Sequence, residues 1–259
     1  MTSPTSNFKP LSLPLEPSLL HSILQREIEL RKARNRLKDY QPYPKQAEFH
    51  EAGATVRERL FLAGNRCGKT ESGAMEVGAH LTGKYPPWWN GKRFTKPIRA
   101  WAAGVTGESS RDVVQAKLFG PPDRRSEWGT GTIPHACLDL GKVATGRGIA
   151  GAIDMAPIRH YNAAGHFDGW SSLAIKSYER GREKWQGPGL ELVWFDEEPP
   201  MDIYLEGLTR TNETGGIVLL TCTPLLGMSS VMMRFLQPDA DDNPDAFMQG
   251  AAVGAEDLA

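Results

Sequence analysis

An eight-residue segment at positions 63–70, AGNRCGKT, constrains the fold of this chain more than any other feature. An apolar run at residues 60–62 leads into it, and residues 71–81 suit a helix. A strand, a glycine-containing loop and a helix in this order predict a phosphate-binding loop, because backbone N–H groups and a helix N-terminus stabilise anions. The pattern expects glycine at its first position, where this chain has Ala63.

The side chains of this loop indicate a nucleoside triphosphate. Lys69 is suited to reach the β- and γ-phosphates, and the Thr70 hydroxyl is suited to bind Mg²⁺. The residues expected to hold the phosphates are Gly64, Asn65, Arg66, Cys67, Gly68, Lys69 and Thr70.

A second motif is an apolar run, residues 191–195, that ends in three carboxylates. Hydrolysis of a nucleotide requires one carboxylate for the metal and another to orient and polarise the attacking water. We expect Asp196 to complete the metal site and Glu197 to act as the general base. Glu198 has no clear role, and acidic residues after a strand can also simply cap the next helix.

Two weaker signals flank these motifs. The apolar strand predicted at 216–221 leads into Thr221, Cys222 and Thr223. If this strand lies beside that of Asp196, the hydroxyl of Thr221 or Thr223 could sense the γ-phosphate and couple hydrolysis to movement. About twenty residues before the loop, Gln46 is suited to hydrogen-bond adenine and Tyr43 to stack on it.

Short apolar strands alternating with helices predict an α/β fold with a mainly parallel sheet flanked by helices. The strands are expected near residues 60–62, 98–105, 190–195 and 216–221, and the runs 158–161 and 173–178 are expected to pair as a hairpin. We assign residues 1–40 to an arm and a basic helix, 41–236 to a P-loop domain and 237–259 to an acidic linker. Ligands then bind at the carboxyl ends of the strands.

Residues 18–39 are expected to be helical, with an apolar stripe at helical spacing and an excess of Arg and Lys. One interpretation is a helix whose apolar stripe packs on the core and whose charged face is solvated. The alternative is a basic surface for DNA phosphates or for a protein partner.

Bulk properties narrow the class of protein. The 259 residues carry a net charge of −1, so contact with nucleic acid requires a local basic patch. No apolar run approaches the length of a membrane span, and we expect no membrane association. The three cysteines are few and far apart, which predicts reduced thiols in a cytoplasmic protein.

Four motifs in order resemble the ATPase domain of the large terminase subunit of tailed bacteriophages, the motor that packages viral DNA. They are residues 43–46 (YPKQ), 63–70, 195–198 (FDEE) and 221–224 (TCTP), and the segments 101–106 and 109–112 also look similar. The resemblance covers about residues 40–230 and implies a P-loop NTPase of the additional-strand type with a catalytic glutamate.

The resemblance also implies roles and partners. Gln46 would read adenine, Arg66 would contact the γ-phosphate region in cis, and residues 221–223 would form the coupling motif. The cofactors would be ATP and Mg²⁺. The partners would be double-stranded DNA, the portal protein, the small terminase subunit and further copies of the chain in a ring on the portal, inside an infected bacterial cell.

Two departures from the family pattern stand out. Where relatives carry Arg-Gly as a finger towards a neighbouring subunit, this chain has Gln186-Gly187. The basic candidates nearby are Arg147, Arg180, Arg182 and Lys184. The family also continues into a nuclease, whereas this sequence ends at Ala259, so we expect the motor without nuclease activity.

Two other functions share some of these motifs. A superfamily 2 helicase or translocase also has an adenine-reading Gln, a phosphate-binding loop and an Asp-Glu strand, but it needs a second motor domain. A nucleotide-binding switch without turnover would not need intact Lys69, Thr70, Asp196 and Glu197.

Overall fold

A computed structural model describes residues 16–146, 148–223 and 229–236, and the backbone of 246–250. The helices are α1 (Pro17–Ala33), α2 (Arg36–Asp39), α3 (Pro44–Ala52), α4 (Lys69–Thr82), α5 (Gly107–Ser109), α6 (Ala116–Phe119), α7 (Met201–Asn212) and α8 (Ser230–Leu236). The strands are β1 (Glu58–Leu62), β2 (Arg99–Gly104), β3 (Ala144–Thr145), β4 (Ile153–Tyr161), β5 (Phe167–Ser177), β6 (Leu192–Asp196), β7 (Ile217–Cys222) and β8 (Ala246–Gly250). A π-helical segment, Ser110–Gln115, joins α5 to α6.

The described strands form one sheet in the order β3-β4-β5-β2-β6-β7-β1-β8. All neighbouring pairs from β5 to β8 are parallel, and β3 and β4 join antiparallel at one end. The predicted hairpin is confirmed and is longer than the sequence indicated. Strand β7 lies between β1 and β6, so an additional strand separates the phosphate-binding loop from the Asp196 strand. The mainly parallel α/β fold of the additional-strand type is thus confirmed.

Helices cover both faces of the sheet because successive strand residues point to opposite faces. Trp194 of β6 packs with α4 in one apolar cluster, whereas its neighbours Val193 and Phe195 pack with α7 and α8 in another. Helix α4 lies very close to β6. A Cβ atom at Gly73 would stand 2.5 Å from the Trp194 indole, which explains the glycine in the middle of this helix.

A buried carboxylate, Glu76 of α4, connects three elements. It is ion-paired with the guanidinium of Arg59 from β1, and its Oε2 lies 2.7 Å from Nδ1 of His50 on α3. His80, one turn further along α4, lies 3.2 Å from its other oxygen. The facing Arg59 guanidinium and the two imidazoles hold the pKa of Glu76 well below its usual range despite its burial. Strand β1, α3 and α4 therefore form one tightly connected unit.

The predicted helix at residues 18–39 is present as α1 and α2, but the expectation that its apolar stripe packs on the core is wrong. No residue of α1 is buried, and Leu19, Ile23 and Leu24 are each about half exposed. Periodicity identifies an amphipathic helix without saying whether anything covers its apolar side.

The sheet continues beyond the residues assigned to the P-loop domain. Strand β8 pairs with β1 in parallel register and lies within 237–259, for which the sequence predicted a linker. None of the helices in the described ranges combines the length and apolar content needed to cross a bilayer.

We predict that Glu76→Gln lowers the free energy of unfolding by about 3–5 kcal/mol, because it leaves the buried Arg59 charge without its counter-charge. Urea denaturation measures this change. Glu27→Gln is the matched control, since Glu27 forms an exposed pair with Arg31 on α1 and should cost less than about 1 kcal/mol. Equal losses in the two variants would contradict the role given to Glu76.

Candidate functional site

The phosphate-binding loop connects β1 to α4 at the carboxyl edge of the sheet, as the sequence predicted. Gly64, Asn65 and Arg66 are exposed, whereas Lys69 is buried at the start of α4. Gly68 has a φ of 75°, in the left-handed region that favours glycine. The free N–H groups of the first turn of α4 therefore face the loop, where an anion would be stabilised.

Gln46 contacts the loop directly. Its Nε2 donates to the carbonyl of Gly68 at 3.1 Å, and its Oε1 accepts the backbone N–H of Tyr43 at 2.9 Å. A Cβ atom at Gly68 would stand only 2.6 Å from Nε2. The Gln46 amide, predicted to read adenine, is buried and ties α3 to the loop. Tyr43, predicted to stack on adenine, is 49% exposed.

Asp196 lies buried at the end of β6 with Thr70 and Thr221 as hydrogen-bond partners. The Thr221 hydroxyl donates to its Oδ1 at 2.8 Å, and the indole N–H of Trp194 donates to that hydroxyl at 2.9 Å. Burial raises the pKa of Asp196 to about 6, although these hydroxyls act in the opposite direction. The sequence placed Trp194 in an apolar run and gave no sign of this polar contact.

Glu197 has a φ of 65°, a conformation that costs a residue with a side chain about 1–2 kcal/mol. Its Oε1 lies 3.5 Å from Nζ of Lys69. Its Oε2 accepts the backbone N–H of Thr223 at 2.9 Å. The carboxylate is thus held between the loop lysine and the end of β7. Among the described residues, the only other non-glycine with positive φ is Arg66, also at 65°.

The three residues predicted to couple hydrolysis to movement divide into two environments. Thr221 and Cys222 are fully buried. Burial and neighbouring carboxylates raise the pKa of the Cys222 thiol. Thr223 instead faces the loop, where its hydroxyl lies 3.2 Å from Oδ1 of Asn65. The side chain of Thr223 thus links the end of β7 to the phosphate-binding loop, and the Cys222 carbonyl accepts the N–H of Ala63 at the start of the loop at 3.3 Å.

The basic residues proposed as fingers differ in their surroundings. Arg180 and Lys184 are exposed on the segment that follows β5. Arg182, between them, pairs with Glu206 of α7 at 3.2 Å, and Arg210 shares that carboxylate. Arg147 lies outside the described residues.

Comparison with protein families supports the resemblance. The model for the N-terminal part of the T4-like terminase large subunit matches residues 60–255. The chain belongs to the terminase large subunit family of bacteriophages. This membership decides against the superfamily 2 helicase alternative.

Individual terminases show how far the similarity extends. The large subunit of Salmonella phage P22 is 42% identical over 213 residues, which cover 78% of this chain and 42% of that protein. That of Enterobacteria phage LP7 is 55% identical over 66 residues, covering 26% and 14% of the two chains. This terminase chain therefore spans about two fifths of the P22 protein.

A solved large terminase shares the fold at low sequence identity. The HK97 large terminase superimposes with a TM-score of 0.51 at 14% identity, covering 81% of this chain and 39% of that one. The large terminase of a thermophilic bacteriophage, in complex with ADP, gives a TM-score of 0.49 at 13% identity, covering 80% and 44%.

We predict that Gly68→Ala destabilises this terminase domain more than Gly165→Ala does. Both glycines have positive φ, 75° and 79°, but a Cβ at Gly165 meets nothing within 4 Å. Gly165→Ala should cost about 1–2 kcal/mol of left-handed strain. Gly68→Ala should cost about 1–3 kcal/mol more, because its Cβ collides with Gln46. Urea denaturation compares them, and equal losses would mean that the close approach of Gln46 is unimportant.

Proposed function

We propose that this domain is an ATP-hydrolysing motor that couples Mg²⁺-dependent hydrolysis to the movement of double-stranded DNA into a procapsid. The observation that carries the proposal is the convergence of Lys69, Thr70, Asp196 and Glu197. They come from the ends of β1 and β6, which are brought to one edge of the sheet with β7 between them. Family membership supports the packaging role.

The residues around Asp196 fit a magnesium ion. Mg²⁺ prefers oxygen ligands and keeps several waters, and the Thr70 hydroxyl and the Asp196 carboxylate supply two oxygens near each other at this edge of the sheet. Burial and the neighbouring Glu197 carboxylate raise the pKa of this carboxyl, and a bound cation would favour its charged form. When bound, Mg²⁺ would neutralise charge developing on the phosphates.

Glu197 is proposed as the general base. In the structure its carboxylate faces the ammonium of Lys69 at 3.5 Å. A triphosphate in the loop would be a stronger partner for Lys69, since it carries several negative charges and lies among the helix N–H groups. Glu197 would then be free to orient water towards the γ-phosphate.

Roles for the remaining site residues follow from their exposure. Tyr43 is exposed and could stack on adenine. Gln46 is proposed to read the adenine edge, which requires its buried amide to turn from its contacts with Tyr43 and Gly68. The exposed Arg66 would contact the γ-phosphate region in cis. Thr223 joins Asn65 and Glu197, so it is the best placed of the coupling residues to respond to hydrolysis.

The proposed partners are double-stranded DNA, the portal protein and the small terminase subunit. Copies of the chain would assemble in a ring on the portal, in the cytoplasm of the infected bacterium. These proposals rest on family membership.

The test of the proposed chemistry is Glu197→Gln. It should reduce ATP turnover by about 10²- to 10⁴-fold, because an amide cannot accept the proton of the attacking water. Nucleotide affinity, measured by titration with a fluorescent ATP analogue, should stay nearly unchanged. Glu198→Gln is the control and should retain most of the activity. Turnover at the parent rate in Glu197→Gln would rule out its role as the base, and a parent protein without turnover would favour a nucleotide-binding switch.

We further propose that Arg180 or Lys184, rather than Arg182, completes the site of a neighbouring copy. All three side chains are exposed, but the guanidinium of Arg182 is already paired with Glu206, which supports this choice. Activity per molecule should then rise with protein concentration, as copies meet.

Arg180→Ala or Lys184→Ala should remove this concentration-dependent increase, whereas Arg182→Ala should retain it. An arginine finger typically contributes about 10³- to 10⁵-fold in rate, so the difference is measurable in a steady-state assay. Loss of the increase only in Arg182→Ala would reverse the assignment.

A further inference from the structure

Two backbone carbonyls, that of Asp196 at the end of β6 and that of Glu197 after it, cannot accept the hydrogen bond that usually closes a β-turn. A β-turn bonds the carbonyl of one residue to the N–H of the residue three positions later. For these two carbonyls that residue is Pro199 or Pro200, and proline has no N–H to donate. The two prolines therefore prevent the backbone from making either of these i to i+3 hydrogen bonds after β6.

The hydroxyl of Tyr178 lies at both carbonyls. Its oxygen is 2.8 Å from the carbonyl oxygen of Glu197 and 3.1 Å from that of Asp196. A third carbonyl, of Ala103 at the end of β2, lies at 3.4 Å. A carbonyl oxygen can only accept a hydrogen bond, so the Tyr178 hydroxyl, which has one proton, is the donor.

The peptide that Tyr178 contacts is the one that aims the proposed base. Glu197 has a left-handed backbone, and its N–H donates to the carbonyl of Thr221 at 2.8 Å. The N–H of Glu197 is thus held by β7 and its carbonyl by Tyr178. If the hydrogen bond from Tyr178 is lost, the backbone of Glu197 can relax towards negative φ, and its side chain then leaves the position between Lys69 and Thr223.

We infer that Tyr178 is a positioning residue for Glu197. The one hydroxyl proton of Tyr178 is shared between the carbonyls of Glu197 and Asp196, to which Pro199 and Pro200 have no N–H to donate. The inference rests on the proposed role of Glu197 in hydrolysis. Tyr178 is itself buried. It acts by holding the strained backbone that directs the carboxylate.

Tyr178→Phe tests this inference because it removes only the hydroxyl and keeps the ring beside Trp185 and Phe195. Tyr204→Phe is the matched control. Tyr204 is also buried, and its hydroxyl donates to Glu58 at 2.6 Å, away from the carboxyl edge of the sheet. Both variants lose one buried hydroxyl, so a general loss of stability should appear in both.

In Tyr178→Phe, kcat for ATP should fall about 10- to 100-fold, because small displacements of a catalytic group have effects of this size. The dissociation constant for an ATP analogue should stay within about twofold of the parent. Tyr204→Phe should keep the parent kcat. Unchanged kcat in Tyr178→Phe, or parallel losses of kcat and affinity in both variants, would overturn the inference.

The crystal structure of Tyr178→Phe gives a readout that does not depend on turnover. We expect Glu197 to leave the left-handed region or its carboxylate to leave the Thr223 N–H. A Glu197 that keeps φ near 65° and the same contacts would contradict the inference, even if the parent proved to be inactive. Failure of the proposed function and failure of this inference are therefore distinguishable.

Discussion

The carboxylate of Glu76 is the interaction on which the candidate site depends most. It binds Arg59 of β1, His50 of α3 and His80 of its own helix, all of them buried. An unpaired charge in this position would be very costly, so the three elements keep a fixed relationship. The phosphate-binding loop connects β1 to α4, so this cluster fixes the elements at both ends of the loop relative to each other. The cluster also fixes α3, from which Gln46 Nε2 donates to the Gly68 carbonyl of the loop at 3.1 Å.

Strain is concentrated where the chemistry is proposed. Arg66 in the loop and Glu197 after β6 both have left-handed backbones, and such conformations persist only where the surroundings hold them. For Glu197 the holding contacts are the Thr221 carbonyl, the Thr223 N–H and the Tyr178 hydroxyl. They come from β7 and from the end of β5. The direction of the Glu197 carboxylate thus depends on the ends of β5, β6 and β7, which the strand order brings to one edge of the sheet.

Much of the fold could be predicted from sequence because the relevant signals are local. The loop at 63–70, the apolar runs of β6 and β7 and the hairpin of β4 and β5 each occupy a short segment. Other outcomes depend on what a segment meets. The apolar stripe of α1 is periodic yet uncovered, and strand β8 lies in a stretch whose acidic residues indicated a linker. The polar roles of Trp194 and Tyr178 were missed because both residues lie in segments that look like ordinary core.

The sequence by itself determined the terminase family, the parallel α/β fold and the identity of the proposed catalytic groups, because residue type and spacing carry this information. Only the tertiary structure decided how these groups are held. It showed that β7 separates β1 from β6 and that Gln46 of α3 hydrogen-bonds to the loop. It also showed that the Thr221 hydroxyl donates to Asp196, whereas the Thr223 N–H donates to Glu197. The physical reason is that hydrogen bonds between distant segments depend on strand order and burial, which no local pattern records.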